Sequence, residues 1–310
     1  IKMSFQGSRS ALAIATEVTY GTSPTTGYVY LPFATHTLDL TKALVEGNDV
    51  RPDRMPRHLR HGTRNAAGSI NSQLRKGDFD ALFESLFMNA FATNVLKVGT
   101  AAKYFSIEDQ ATDGPSPAGP KQYRLFKGMA VSSLNLSIAP DQAVNARFDL
   151  VGRDMAQGST SIQTLAPGDD SDNVPFDSFS GVITEGGSAI ATVTAIDLTI
   201  SNDLTNAYVI GSNIAAEPEY GMMTATGTLT VRYADAVLIN KFLNETASSL
   251  SFEVDDLTGA NPYTFSMPNI KYTGAAVPLA GSKGRLVTLP FTALFDETAA
   301  TNISLTRTSP

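Results

Sequence analysis

The chain has 310 residues, 42% of them hydrophobic and 17% charged, which supplies a packed core for one large domain or two. Its net charge of −7 argues against general affinity for nucleic acid, which needs surplus Lys and Arg to displace phosphate counterions. The absence of cysteine excludes thiol catalysis, zinc-thiolate sites and a disulfide scaffold. Ile1–Arg9 lacks the basic-then-apolar order of an export signal, and no apolar run reaches the ~20 residues of a membrane helix. The expectation is a protein kept in the cytoplasm after synthesis, without a membrane partner.

In chain order, the first clear strand signal is Leu38-Asp39-Leu40, whose alternation places one face on a core. A proline-broken loop follows, Arg51-Pro52-Asp53-Arg54-Met55-Pro56-Arg57-His58-Leu59-Arg60-His61-Gly62-Thr63-Arg64, with five arginines and two histidines. Guanidinium groups form forked bonds to carboxylates, so this loop reads as an arm that docks on an acidic surface. From Asp78, expected as an N-cap, Phe79, Leu82, Phe83, Leu86, Phe87 and Ala90 recur at helical spacing. Turn residues at Asp113-Gly114-Pro115-Ser116-Pro117 separate this helix from strands at Leu134–Ile138 and Phe148–Leu150.

The stretch Gln157–Ser178 is rich in Gly, Ser, Asp and Pro and reads as a solvated linker. Its run Asp169-Asp170-Ser171-Asp172-Asn173 lacks the Gly and Glu placement of a calcium loop. Further strands are expected at Leu198–Ser201 and Leu229–Tyr233, and a second helix from Asp235 with Leu238, Ile239, Phe242 and Leu243. The turn Leu257–Pro262 precedes Tyr263-Thr264-Phe265-Ser266.

This order of elements repeats. Leu38-Asp39-Leu40-Thr41 matches Leu198-Thr199-Ile200-Ser201, and Ala67-Gly68-Ser69-Ile70 matches Thr226-Gly227-Thr228-Leu229. Leu82-Phe83 then matches Leu238-Ile239, Phe105–Asp109 matches Phe252–Asp256, and Tyr123–Phe126 matches Tyr263–Ser266. The spacing between partners falls steadily along the chain, as shorter loops in the second half require. The expectation is a mainly β protein of two tandem sandwich or barrel domains, residues 1–165 and 166–310, each with one flanking helix. The boundary falls near Pro167.

No metal, phosphate or nucleophile motif is present. His-Glu-x-x-His, Gly-x-Ser-x-Gly, the phosphate loop and Gly-x-Gly-x-x-Gly are all absent. His36, His58 and His61 have no carboxylate cluster beside them in sequence. A glycosidase pair is not singled out among the carboxylates, and no Trp offers a sugar platform. No catalytic residue, cofactor or metal is expected. An adhesin or carbohydrate-binding sandwich shares the β pattern, but requires an export signal and aromatic sugar contacts.

The chain resembles the tail tube proteins of long-tailed, non-contractile bacteriophages. Glu17-Val18-Thr19-Tyr20-Gly21-Thr22-Ser23-Pro24 followed by Leu31-Pro32-Phe33 is similar to the start of many of them. So are the Gly68 strand, Phe105–Glu108, Thr226–Val231 and Tyr263-Thr264-Phe265-Ser266-Met267-Pro268. The resemblance implies a β-sandwich or partly open barrel with a flanking helix, and rings stacked into a hollow tube through which DNA leaves the capsid without specific binding. It also implies tape measure and tail terminator or tip proteins as partners, a place in the virion tail, and assembly in the host cytoplasm. Many relatives hold a single tube domain. A duplicated chain then closes as a trimer with approximate sixfold symmetry, a hexamer being the alternative. The arm residues Arg51, Arg54, Arg57, Arg60 and Arg64 are expected at a subunit or ring interface, facing carboxylates such as Glu217 or Glu219 of a neighbour.

Overall fold

The computed structural model describes residues 5, 7–55, 57–112, 121–165, 171–178, 181–256, 262–279 and 284–308. The turn at Asp113–Pro117, most of the one at Leu257–Pro262, Pro167, and Asp169 and Asp170 lie outside the described residues.

The chain is mainly β and antiparallel. Its first part holds β1 (Ala11–Glu17), β2 (Val29–Leu31), β3 (Thr35–His36), β4 (Asp39–Glu46), β5 (Leu59–Gln73), α1 (Asp80–Phe87), β6 (Val95–Lys97), β7 (Tyr104–Thr112), β8 (Lys121–Ile138), β9 (Asn145–Gly152) and β10 (Asp154–Gly158). The rest holds β11 (Ile183–Glu185), β12 (Ser188–Ala189), β13 (Val193–Ser201), β14 (Thr224–Arg232), α2 (Val237–Leu243), β15 (Ser248–Val254), β16 (Tyr263–Tyr272), β17 (Leu286–Ala293) and β18 (Ser304–Arg307).

Strand pairing runs β2-β1-β7-β8-β9-β5-β4 in the first part. In the second it runs β12-β11-β15-β16-β17-β14-β13. Each run has its helix between consecutive strands of the chain, α1 between β5 and β6 and α2 between β14 and β15. β8 serves two layers: Lys121–Phe126 and Met129 pair with β7, and Ala130–Ser137 pair with β9. Its far side, Ser133–Ile138, pairs with β13 and joins the two runs into one sheet. A second join is β6 to β18.

Both runs have a glycine where neighbouring backbones come too close for a side chain. A Cβ on Gly68 would lie 2.6 Å from Leu38 Cα and Thr37 O, and one on Gly227 would lie 2.5 Å from Asp197 O. Gly227 stands opposite Leu198.

The apolar core is shared. One continuous cluster takes Leu12, Phe105, Phe126 and Phe148 from the first part and Leu229, Phe252, Phe265 and Phe291 from the second. α1 lies within it, with Leu82, Phe83, Leu86 and Phe87 fully buried. The Phe83 ring is 5.7 Å from Phe148 on one side and 6.1 Å from Phe265 on the other. Arg307 pairs with Asp80 at the start of α1 and sits 3.9 Å over the Phe91 ring.

Two sequence expectations are corrected here. Asp78 does not cap α1, whose N-cap position is Phe79 without a side-chain bond. Its carboxylate instead accepts from Ser171 Oγ at 2.6 Å and Asn173 Nδ2 at 3.1 Å, tying the linker down. Nor is the linker wholly solvated. Phe176 is fully buried, donates its N–H to Leu74 O at 2.8 Å, and accepts from Val144 N at 2.9 Å. One aromatic anchor in a Gly/Ser/Asp-rich window is invisible to composition. Asp235, expected likewise as an N-cap, stands one residue before the N-cap of α2, Ala236, and accepts from Val237 N at 2.9 Å.

Candidate interaction surfaces

The arginine-rich stretch is a hairpin that stands off the body. β4 and β5 pair from Asp39–Ala67 out to Glu46–Leu59, and the chain reverses between them. Its tip is held by local bonds: Arg51 to Asp49 at 3.0 Å, and Arg57 to Asp53 in the i,i+4 spacing. Arg54 adopts a left-handed φ of 60° and Arg60 is exposed. Exposed ion pairs such as these contribute only ~0–1 kcal/mol. The hairpin also exposes Leu44, Val45, Val50, Met55 and Leu59. The arm thus carries exposed apolar side chains beside its guanidinium groups.

At the arm's base, Arg64 pairs with Asp154 at 3.1 Å. Its backbone holds the loop of residues 202–223, through Arg64 N–H to Asn213 O and Tyr208 OH to Arg64 O, both at 2.8 Å. Glu217 accepts from Tyr104 OH at 2.7 Å, and Glu219 pairs through its backbone with Thr205. Within one chain, therefore, Glu217 and Glu219 meet none of Arg51, Arg54, Arg57, Arg60 or Arg64 among the described ion pairs. Tyr20 completes this seat, stacking edge-on to Tyr104 at 4.6 Å and donating to Ala216 O.

The sheet that joins the two runs, β4-β5-β9-β8-β13-β14-β17-β16, has one apolar face against the core and one polar face. On the polar face a row crosses from Asn71 through Arg147, Asn135, Thr199, Thr226 and Thr292 to Lys271. A parallel row runs Gln73, Asn145, Ser137, Asp197, Thr228, Pro290. Side-chain bonds link the rows internally: Thr199 Oγ1 donates to Asn135 Oδ1 at 2.9 Å, Ser137 Oγ to Asp197 at 2.7 Å, and Arg147 Nε to Asp149 at 2.9 Å. Arg147 is thus neutralised in place, and Ser, Thr and Asn dominate the surface. The sequence carried this signal in the polar positions of its alternating strands, but nothing local tells which polar faces join.

Among the described residues β4 is an open edge of this sheet; at the other end β16 pairs onward with β15 and β18, and only the stretch after it, residues 273–277, has pairing on one side alone. β4 pairs along one side only, and Leu40 N–H is met by its neighbour Asp39's own carboxylate at 2.8 Å. At the other end Ala276 bonds to Thr288 on its inner side.

No assembled chemical site accompanies these surfaces among the described residues. No group of His, Asp and Glu there could hold a metal ion. His36 lies 3.7 Å from Asp109, and burial holds its pKa below the ordinary value against the pull of that carboxylate. His58 and His61 are exposed on the arm. A cavity of about 610 Å³ is lined by Arg9, Tyr30, Phe33, Arg75 and Lys121 among others, and the described residues of its wall include no carboxylate and so no glycosidase pair.

What remains is an antiparallel β protein with a polar sheet face, an unpaired edge at β4 among the described residues and an exposed apolar-basic arm. The chain belongs to the phage tail tube protein family, which it matches over residues 7–293. Its role is structural, in the tail of the virion. A search of curated proteins finds no match.

Proposed function

We propose that this chain self-assembles into rings that stack to form the phage tail tube, the conduit for DNA ejection. The observation that carries this reading is the joined sheet, whose face is mostly neutral and which, among the described residues, leaves β4 at one end and residues 273–277 at the other paired on one side only. Such edges are a liability in a monomer and an asset in a ring, because head-to-tail pairing removes them. A surface of Ser, Thr and Asn neither traps a polyanion through counterion release nor strongly repels it, so it suits a channel wall. Tape measure and terminator or tip proteins are the family-implied partners at the tube's interior and ends.

The repeated pairing order supports descent of residues 1–165 and 166–310 from one duplicated tube domain. Two fused copies replace two separate ones in the same closed ring, so the expected ring holds three chains with approximate sixfold symmetry. The arm is an assembly contact. Its exposed Leu44, Val45, Met55 and Leu59 supply apolar area, and Arg54, Arg57 and Arg60 set register against carboxylates on a neighbour, Glu217 and Glu219 among them.

Electron microscopy of the full chain, with mass measurement of isolated rings, tests the reading. Tubes or rings of three chains are the expected result. Six chains per ring would overturn the stoichiometry alone, and monomers under all assembly conditions would overturn the function. Arg54→Ala, Arg57→Ala and Arg60→Ala together should leave the fold intact and weaken tube formation. Normal tubes from that variant would remove the arm's charges from the contact.

A further inference from the structure

We infer that the joint between neighbouring chains copies, residue for residue, the joint already present inside one chain. This rests on the ring reading above and adds a register to it. The internal joint is antiparallel, with Leu134 opposite Ile200, Asn135 opposite Thr199 and Leu136 opposite Leu198. The ladders show which positions correspond between the two runs. Asn71, Arg147 and Asn135 lie in line across β5, β9 and β8. Thr230, Thr288 and Ala276 lie in line across β14, β17 and the chain after β16, and Thr230 follows Gly227 by three residues as Asn71 follows Gly68. Ala276 therefore stands where Asn135 stands. At the other edge, Gly227 opposes Leu198 and a Cβ on Gly68 would meet Leu38, so Leu38 stands where Leu198 stands and Asp39 where Thr199 stands.

Carrying the internal pairs across gives Ala276 opposite Asp39 of the next chain, Ala275 opposite Leu40 and Val277 opposite Leu38. Pro278 follows and ends the ladder, because it has no N–H to donate. Each chain offers one edge of each kind, so the contact is heterologous and closes a ring rather than a pair.

The helices give a second, independent indication. α1 is buried because the second part of the same chain covers it: Asn202 Nδ2 donates to Leu86 O at 2.8 Å, and Tyr263 OH donates to Asp80 at 3.1 Å. α2 holds the corresponding place in the second run and has no fully buried residue. Phe87 is 0% exposed, whereas Leu243, its counterpart, is 66% exposed. The cover that α1 finds inside the chain is what α2 lacks, and the first part of the next chain supplies it.

The cysteine-free sequence makes the test clean. Directly opposite residues of an antiparallel pair lie ~4.5–5.5 Å apart at Cα, within disulfide reach, whereas diagonal neighbours lie ~7–8 Å apart. Asp39 and Ala276 are both exposed, so cysteines there leave the fold intact. The full chain carrying Asp39→Cys and Ala276→Cys, oxidised in assembled rings, should give closed covalent rings on a non-reducing gel. It should cross-link about tenfold faster than Thr41→Cys with Ala276→Cys, which is off register by a diagonal step. Separately, Leu243→Glu should leave the monomer's melting temperature unchanged and reduce ring yield about tenfold, as expected for a charge placed in an apolar contact. Rings that form but cross-link faster in the off-register variant, or not at all, would overturn this joint and leave the tail-tube reading standing. A chain that forms no rings even without substitutions would overturn the reading beneath it.

Discussion

Replacing Phe83 by Ala tests whether the two runs of strands stand or fall together. Phe83 is fully buried on α1, with its ring 5.7 Å from Phe148 of the first run and 6.3 Å and 6.1 Å from Tyr263 and Phe265 of the second. Truncating such a side chain costs about 3–5 kcal/mol, the lost transfer energy plus the cavity left behind. With an unfolding entropy of ~2.1 cal/mol/K per residue over 310 residues, that lowers the melting temperature by about 5–8 °C. Because the lost contacts reach both runs, calorimetry of the unassembled chain should show one transition moving as a whole. Phe83→Leu keeps most of the volume and should cost less than about 1.5 kcal/mol. Two separate transitions, only one of them shifted by Phe83→Ala, would refute the shared core, as would a shift below about 2 °C.

Gly68→Ala and Gly227→Ala should each cost about 1–3 kcal/mol in urea unfolding, since the added Cβ meets backbone atoms at 2.6 Å and 2.5 Å; an unchanged midpoint would refute the close approach. Burial pushes the hydroxyls of Tyr28, Tyr220 and Tyr263 up to about 12, against ~10 in an unfolded chain. Their raised values contribute stability that is complete below pH ~10 and is lost as pH climbs toward 12, so tyrosinate absorbance at 295 nm should lag until circular dichroism reports unfolding. In end-on views of tubes, a sixfold harmonic should dominate at the channel wall and a threefold one at the radius of the arms; equal sixfold power at every radius would contradict a fused pair with one arm.

The legible features were those whose signal is local. Alternation marked β4, β9 and the second half of β8, and helical spacing marked α1 and α2, because each pattern repeats within a few residues. The glycines and the matched leucines carried enough local character to reveal the recurring order. What stayed hidden depended on distant partners. Asp78 looked like a cap because Asp often is one, but its bonds go to Ser171 and Asn173, nearly a hundred positions on. Arg64 belonged to a run of arginines, yet it is anchored by Asp154. Arg307, which closes over Phe91 and pairs with Asp80, gave no sign at all in an unremarkable C-terminal stretch. The polar sheet face is built from rows that cross six or more strands, and no window along the chain contains such a row.

The duplication proposed above would also account for where the two runs differ. In a ring of identical single-domain copies, every copy must serve every interface, so a loop cannot be an arm in one and a seat in the next. Two copies in one chain lift that restriction. The segment after β4 extends as a basic, apolar hairpin, whereas the segment after β13 folds back and is held by Tyr20, Tyr104 and Tyr208. In the strands that build the joined sheet, by contrast, the pairing order is the same in both runs. In the proposed ring, the divergent segments would face outward and the segments that keep the same pairing order would close it. In the proposed ring, an arm borne by every second domain would halve the number of equivalent stacking positions, so one ring would settle on the next in fewer orientations. That is a gain in register obtained without any change to the channel wall.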